Sequence, residues 1–511
     1  MQSYVTTDSK EVSKSNFDWR YIACLLAFAA IPMLIVTVPS GSDYPNHLAR
    51  HHVFAAIGRG TALDQHFRVV WRWVGNLGVD LPALALTPLL GVETATRMTS
   101  ALIAPLTVLG ILLLSRSVHG RITASAALAL PFAFAQPFFY GFLNYCLSVA
   151  LALICAAIWN FDKKRGIFRA VAFGLAALIV WTAHIMGWAI LLTLIAGTEF
   201  AATQGFRDLL SRMVRAGPLL APAIPFLMWR SSSSGPAYWY DPNFITSKAM
   251  NFVTALKGLS LPFDLGMTLV IGVAAVIALV FAGGRRLKPS LAYSGGLLLL
   301  GTLCMPTTLL GSWGADLRLA PVAMMIALMA IGPASSPQRE RQLFCLGIGL
   351  FVLRVGWTSI QWRQADLVLQ SRLTLLDTVP RGGRLGFISV ETGCRKWALT
   401  ADRKLGAYAV TRRDAFTNTL FEIPGADLMI FRNASDRVRW FDGSQDIQPL
   451  CPKGAPDLAK LRSRMNEMKA HRFNAIWVAG LVPRDVRPLA GYTISRRDEI
   501  DTLYLQDTIF K

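Results

Sequence analysis

Charge is what this chain lacks most. Of its 511 residues only 16% are Asp, Glu, Lys or Arg, and 53% are hydrophobic, whereas an ordinary soluble domain carries about 25% charged residues. So little charge cannot cover a water-facing surface along the whole length. Cysteine is sparse too: the seven residues make no CxxC pair and no Cys/His zinc spacing, which removes zinc ribbons and dithiol redox motifs. Gly382-Gly383 opens no GxGxxG after a strand, so no dinucleotide fingerprint is present. The net charge of +20 is not gathered on a basic helix with interleaved aromatics, which argues against nucleic acid as a partner. No internal repeat is visible. Residues 1–20 are polar, and the apolar stretch after them has no small-residue cleavage pattern, so it reads as a membrane helix and not a signal peptide.

What is present is a succession of apolar runs near the length of about 20 residues that a spanning helix needs. They are Tyr21–Val38, Thr96–Leu114, Ile122–Phe138, Tyr140–Phe161, Phe168–His184, Met186–Ala202, Ala216–Trp229, Leu265–Phe281, Leu291–Leu310, Leu317–Ile331 and Leu343–Ile360. Pro222 and Pro225 are expected to kink the seventh. With the N-terminus in the cytoplasm, the basic residues fall on the cytoplasmic side: Arg116 and Arg121; Lys163, Lys164 and Arg165; Arg207, Arg212 and Arg215; Arg285, Arg286 and Lys288; Arg339 and Arg341. The outer hairpins around Pro137 and Ile185 hold no Lys or Arg, a positive-inside pattern. The expected architecture is an α-helical polytopic membrane protein of about eleven helices. It has a cytoplasmic segment 1–20, a transmembrane domain 21–360 with outer loops 39–95 and 230–264, and a soluble domain 361–511. The odd helix count places that last domain in the periplasm of a bacterial inner membrane.

Strand-like runs at Leu385–Val390, Asp427–Phe431 and Ala475–Val478, with a helix at Ala455–Ala470, make the tail a small α/β domain. Cys24, Cys146, Cys155, Cys304 and Cys345 lie in apolar segments as small hydrophobes. Cys394 and Cys451, alone in the tail, are expected to pair as a disulfide if their compartment is oxidising. Loop 39–95 holds an interfacial or re-entrant stretch, Leu81–Leu90. Loop 230–264 opens with the flexible Ser231–Ser234 and Gly235 and continues through Tyr238-Trp239-Tyr240-Asp241, where Tyr240 and Asp241 are candidate substrate contacts.

Chemistry concentrates just after the first helix, in Ser42-Asp43-Tyr44-Pro45-Asn46-His47-Leu48-Ala49-Arg50-His51-His52. Pro45 near a helix start, with Ser42 or Asp43 as N-cap, predicts a helix. Asp43, His47, Arg50 and His51 then share one face. The blander alternative is a capping Asp43 on a solvated face. His47, His51 and His52 with Asp43 could also ligate a divalent metal, although the spacing is not diagnostic. Costly polar residues gather near the outer helix ends: Gln136, Asn144, His184 and Arg354. His184 alone also fits a satisfied core histidine. At the start of the tenth helix, Asp316 suits the N-terminus but Arg318 opposes the helix dipole. Either a salt bridge to Asp316 or a bound anion such as phosphate must offset it.

Together these features resemble the GT-C-type glycosyltransferases, membrane enzymes that take a sugar from a polyprenyl-phosphate carrier. The resemblance rests on the cytoplasmic N-terminus, the early Asp of the first outer loop, the many short-looped helices and the terminal periplasmic domain. It extends to bacterial membrane proteins with a similar Asp-x-Pro-x-His beginning. It implies that Asp43 is the catalytic base or a metal ligand and that Arg318 holds the lipid phosphate; His47, Arg50, His184, Asp316 and Arg354 stand beside these as further candidate substrate contacts. Many members carry paired acids in this loop, whereas here Tyr44 follows Asp43, which leaves metal dependence open. The implied partners are membrane lipid, a polyprenyl-phosphate sugar and a glycan, lipid or protein acceptor. Two other classes stand beside this one. A transporter or flippase for lipid-linked glycans would show paired broken helices in two repeated halves, and these are not found. A non-catalytic assembly protein would tolerate substitution of Asp43 and Arg318.

Overall fold

The structure is a computed structural model that describes residues 19–162, 166–230, 243–284, 286–394, 397–420, 422–423, 425–433, 446–481 and 489–507. Helices dominate: α1 (Trp19–Leu34), α2 (Tyr44–Ala56), α3 (Asp80–Leu90), α4 (Val92–Ala101), α5 (Ile103–His119), α6 (Ala124–Ala129), α7 (Gln136–Tyr140), α8 (Leu143–Phe161), α9 (Ile167–Ala183), α10 (Ile185–Ala201), α11 (Phe206–Ala216), α12 (Ala223–Arg230), α13 (Phe244–Val253), α14 (Leu261–Val280), α15 (Pro289–Cys304), α16 (Ala315–Met329) and α17 (Pro337–Leu373). Among the described residues, four segments are long and apolar enough to cross a membrane: Val92–His119, Leu143–Phe161, Leu261–Val280 and Pro337–Thr378. Shorter apolar helices, α1, α3, α9, α10 and α15 among them, pack beside these.

Each of the eleven expected spans contains helix, but two are broken where proline removes a backbone donor. Residues 122–138 divide into α6, a 3-10 turn Leu130–Phe134 starting at Pro131, and α7 with Pro137 in its first turn. The seventh span becomes a 3-10 turn Gly217–Leu220 and the eight-residue α12, with Pro222 and Pro225 at the junction. The last helix runs past the expected end at Ile360 to Leu373, 37 residues in all. At about 1.5 Å per residue that exceeds the hydrocarbon core of about 30 Å, so α17 is longer than a single crossing requires. Its extension is held by burial of Trp362, Leu369 and Leu373, and by Asp366, which accepts the backbone N–H groups of Thr37 and Val38 after α1. The stretch Leu81–Leu90 forms α3, with Leu81, Leu89 and Leu90 exposed.

The strands are β1 (Phe67–Val69), β2 (Thr308–Leu309), β3 (Ser312–Trp313), β4 (Arg384–Val390), β5 (Phe416–Thr417), β6 (Met429–Phe431), β7 (Asp446–Ile447), β8 (Pro449–Leu450), β9 (Ala455–Pro456), β10 (Ala475–Ala479), β11 (Tyr492–Arg497) and β12 (Asp501–Gln506). The main sheet runs β11-β12-β10-β4-β5, with β7 also on β4. Strand β4 is parallel to β5, β7 and β10, while β12 is antiparallel to β10 and β11. One helix, Leu458–Ala470, covers it with Leu461, Met465 and Met468, and Asp457 caps its start by accepting from the Lys460 N–H at 2.9 Å.

Strands β4, β10 and β12 are buried on both faces. Leu385, Phe387, Trp477, Leu503 and Leu505 join the core built by the membrane helices. The alternate residues Ile388, Val390, Ile476, Val478 and Tyr504 join a second core with Ala49, Val53 and Ala56 of α2, Leu63 and Phe67. Strand β1 from the first loop pairs antiparallel with β6, Phe67 opposite Phe431. The first loop therefore completes the C-terminal core, which explains the near-continuous apolar sequence of β4.

Cys394 and Cys451 form a disulfide with Cα atoms 5.7 Å apart across a sequence separation of 57. In the chain-entropy picture such closure stabilises by about 4 kcal/mol. Mass spectrometry of protein from native membranes should recover the linked peptide under non-reducing conditions. Two free thiols there would show that this compartment leaves the pair reduced.

Candidate functional site

Helix α2 starts where the sequence places it. Asp43 is its N-cap residue and Pro45 lies in the first turn. The Asp43 side chain makes no capping hydrogen bond, so capping does not account for this carboxylate. Its backbone is fixed instead by the C-terminal end of α7: Asp43 N–H donates to the Tyr140 carbonyl at 2.9 Å, and Ser42 N–H to the Phe139 carbonyl at 3.0 Å. Asp43, His47 and Arg50, one face of α2, line a cavity with Asn144, Tyr145, His184, Arg318 and Asp427. At roughly 10–15 Å³ per enclosed water, its volume of about 120 Å³ holds a small polar headgroup.

Arg318 and Arg50, both buried, are wired differently. Arg50 is fully engaged: Nε and Nη2 reach Asp80 at 2.8 Å, Nη1 reaches Asp427 at 3.0 Å, and Nη2 donates to His47 Nδ1 at 3.0 Å. It ties α2 to α3 and to the C-terminal domain while also lining the cavity. Arg318, 7% exposed, has no carboxylate within ion-pairing distance among the described residues. Nη1 donates to the Ser312 hydroxyl at 3.1 Å, the guanidinium lies 4.0 Å over the Phe142 ring, and Nε is buried without a hydrogen-bond partner among the described residues. The salt bridge to Asp316 does not form, because residues two apart on a helix point in different directions. Asp316 pairs with Lys248 at 2.6 Å. The carboxylate of Asp43 is within electrostatic reach of both Arg50 and Arg318. His184, between α9 and α10, accepts the Met186 N–H at Nδ1 (3.1 Å) and sets its ring edge against Tyr145, leaving Nε2 as the protonated nitrogen.

Arg354 is not at this cavity. It is 1% exposed and pairs with Asp264 at 2.5 Å, while Nη2 donates to the carbonyls of Phe134 and Leu256 at 2.8 Å. Asp264 also accepts from Gly258 N–H and the Trp397 indole. Arg354 therefore knits α17, α14 and the C-terminal domain together. Gln136, in α7, is likewise buried away from the cavity and accepts from Thr254. Tyr240 and Asp241, with the rest of Ser231–Gly235 and Tyr238–Asp241, lie outside the described residues.

His47, His51 and Asp80 bring one donor atom each within 4.8 Å of one another. His52 is turned away, toward Asp414 at 2.7 Å. This donor set does not suit a dication: the Asp80 oxygen that His51 contacts at 3.1 Å is already held by Arg50, and His51 Nδ1 is committed to Thr96. Burial would raise the Asp80 carboxyl, but Arg50 and His51 beside it hold it well below the usual carboxylate range. Burial, with the Arg50 cation, lowers the His47 imidazole to about 3, so it is neutral at physiological pH. A His depressed below its ordinary value of 6.5 stabilises the fold above that pH and loses the contribution as pH falls toward 3. His47→Gln should flatten the acid limb of a stability profile between about pH 6 and 4, and an unchanged limb would show that His47 titrates normally.

Asp80 and Asp427 were not flagged by sequence. Asp80 begins the apolar stretch of α3, a position legible only as a helix start. Asp427 lies 377 residues from Arg50.

A narrow apolar slot of about 40 Å³ adjoins the polar cavity between α5, α8 and α16, lined by Thr107, Phe138, Val149 and Met325. Arg318 and Tyr145 line both spaces.

No protein-family model and no curated protein matches the chain. Among solved structures, ArnT from Cupriavidus metallidurans bound to undecaprenyl phosphate is similar over 95% of this chain and 97% of that one, at 12% identity and a TM-score of 0.54. Its apo state gives the same coverage and identity with a TM-score of 0.51. Arabinofuranosyltransferase AftD from Mycobacteria matches 95% of this chain but 40% of its own, at 13% identity and a TM-score of 0.46. At such identities the likeness is one of fold, and the fold of this chain is that of ArnT, a glycosyltransferase of the GT-C type.

Proposed function

We propose that the chain is a membrane glycosyltransferase that moves a sugar from a polyprenyl-phosphate donor to a glycan, lipid or protein acceptor at the periplasmic face of a bacterial inner membrane. The observation that carries this reading is Arg318: a buried guanidinium without a carboxylate partner among the described residues, where a polar cavity meets an apolar slot. The change from polar to apolar lining at that junction matches the polarity of an amphipathic ligand with an anionic head and a prenyl tail. The similar ArnT structure, bound to undecaprenyl phosphate, supports the same ligand class.

Asp43 faces the cavity across from Arg318 and acts as the base. A sugar hydroxyl is a poor nucleophile, and a carboxylate that takes its proton as attack proceeds lowers the barrier. The departing lipid phosphate needs a cation, not an acid, and Arg318 supplies it. The anomeric carbon–phosphate oxygen bond breaks as the acceptor oxygen bonds to that carbon from the opposite side. The anomeric configuration inverts. The proton ends on Asp43.

Undecaprenyl phosphate titrated into the purified protein tests the reading. A charge-assisted hydrogen bond is worth about 1.5–3 kcal/mol, so Arg318→Ala should weaken binding by about tenfold to a hundredfold. Arg318→Lys should recover part, because a point charge replaces a two-pronged donor. Equal affinity in all three proteins would refute the phosphate assignment. Sidedness is tested separately: reporter fusions after residue 378 should read periplasmic, and those near Arg165 and Arg286 cytoplasmic. A cytoplasmic signal from the C-terminal domain would overturn the orientation.

A further inference from the structure

The Phe139–Phe142 turn touches both members of the proposed pair. On one side it holds Asp43 through backbone alone: the carbonyls of Phe139 and Tyr140 accept the N–H groups of Ser42 and Asp43. Gly141 lies flat against the same residues at φ +82. A Cβ there would stand 2.9 Å from Asp43 N and 3.0 Å from Tyr44 N, closer than side chains approach backbone. On the other side, the Phe142 ring carries the Arg318 guanidinium at 4.0 Å. Tyr140 stacks on Phe142 with centroids 5.2 Å apart and meets Trp313 edge-on. Three residues on, the Tyr145 hydroxyl donates to the Arg318 carbonyl at 2.6 Å.

We infer that this turn is the gauge of the site: Gly141 and Phe142 are positioning residues that set the separation between the Asp43 carboxylate and the Arg318 guanidinium. The inference rests on the donor site proposed above. It assigns each residue a different kinetic signature. Phe142 acts through Arg318 and hence through the lipid phosphate. A cation–π contact of about 0.5–2 kcal/mol is lost in Phe142→Leu, so undecaprenyl phosphate should bind roughly 2- to 30-fold more weakly. Phe142→Tyr keeps the ring face and should restore it. Gly141 acts through Asp43 and hence through the proton transfer. A misplacement of about 1 Å can cost a hundredfold in rate. Gly141→Asn, whose side chain tolerates a left-handed φ yet still carries a Cβ, should lower kcat by about tenfold or more while the lipid affinity stays within about twofold of wild type.

The experiment is undecaprenyl phosphate binding by wild type, Arg318→Ala, Phe142→Leu, Phe142→Tyr and Gly141→Asn, with turnover of the last. Wild-type affinity serves as the folding control for Gly141→Asn, and the tyrosine variant as that for Phe142→Leu. Weakened binding in Phe142→Leu, rescued by tyrosine, with a kcat-only loss in Gly141→Asn, supports the inference. If Arg318→Ala loses the lipid but Phe142→Leu keeps it, or Gly141→Asn turns over normally, the inference is overturned and the donor site stands. If wild type and Arg318→Ala bind alike, the donor site itself fails and takes the inference with it.

Discussion

Asp43→Asn should lower turnover on the true donor and acceptor by about a hundredfold or more, with the protein folded and undecaprenyl phosphate still bound. The substitution keeps size and shape and removes almost all proton affinity. Asn caps a helix about as well as Asp, and the Asp43 side chain does not cap α2 in any case, so lost helix stability cannot account for a large rate effect. The backbone hydrogen bonds that fix residue 43, its N–H donating to Tyr140 and its carbonyl accepting from Asn46 and His47, survive the change. Removing one carboxylate beside Arg318 leaves the phosphate-binding cation in place, so lipid affinity should hold or rise slightly. The loss should therefore appear in kcat. Near-normal turnover would mean that another group takes the proton; among the described residues the other carboxylate lining the cavity is Asp427, which is held by Arg50 and accepts the Ile423 N–H.

The second large effect falls on stability. Arg354→Ala should destabilise the protein by about 3–5 kcal/mol, the usual consequence of stranding one member of a buried ion pair. It removes the cation from Asp264 and also leaves the Phe134 and Leu256 carbonyls without their donor. The double variant Arg354→Met with Asp264→Asn should be more stable than Arg354→Ala alone, because no isolated charge remains. Thermal unfolding in detergent reads both. Intact stability of Arg354→Ala, coupled with selective loss of undecaprenyl phosphate binding, would return Arg354 to the donor site.

These two residues mark how far the sequence could be read. Asp43, His47, His184 and Arg318 were legible because an acid after the first span, helical spacing and an Arg against the helix dipole are local signals. The structure brings all four to one cavity. Arg354 carried an equally strong local signal, an intramembrane cation, but its partner Asp264 lay at what reads as a loop end 90 residues earlier. Rarity alone does not separate a ligand-binding cation from a structural pair. Pairings across the chain were hidden for the same reason: Lys248 for Asp316, Asp80 and Asp427 for Arg50.

The positions of the helices followed from apolar run length, and the break in the seventh span from Pro222 and Pro225; the break of 122–138 at Pro131 and Pro137 was not expected. The union of the first loop with the C-terminal sheet was not expected either, although Leu385-Gly386-Phe387-Ile388-Ser389-Val390 carries the trace of it. A strand covered on one face alternates apolar and polar residues, and this one is apolar on both. That pattern asked for a second cover, which α2 and β1 provide.

The central claim is that Arg318 receives the phosphate of a polyprenyl lipid at the mouth of an apolar slot. It is tested most directly by an experimental structure of the protein with undecaprenyl phosphate. The phosphate is expected within hydrogen-bonding distance of the Arg318 guanidinium, the first isoprene units between α5, α8 and α16, and the Asp43 carboxylate facing the same cavity. A phosphate bound at another cation, with the Arg318 cavity holding no part of the lipid, would contradict the account.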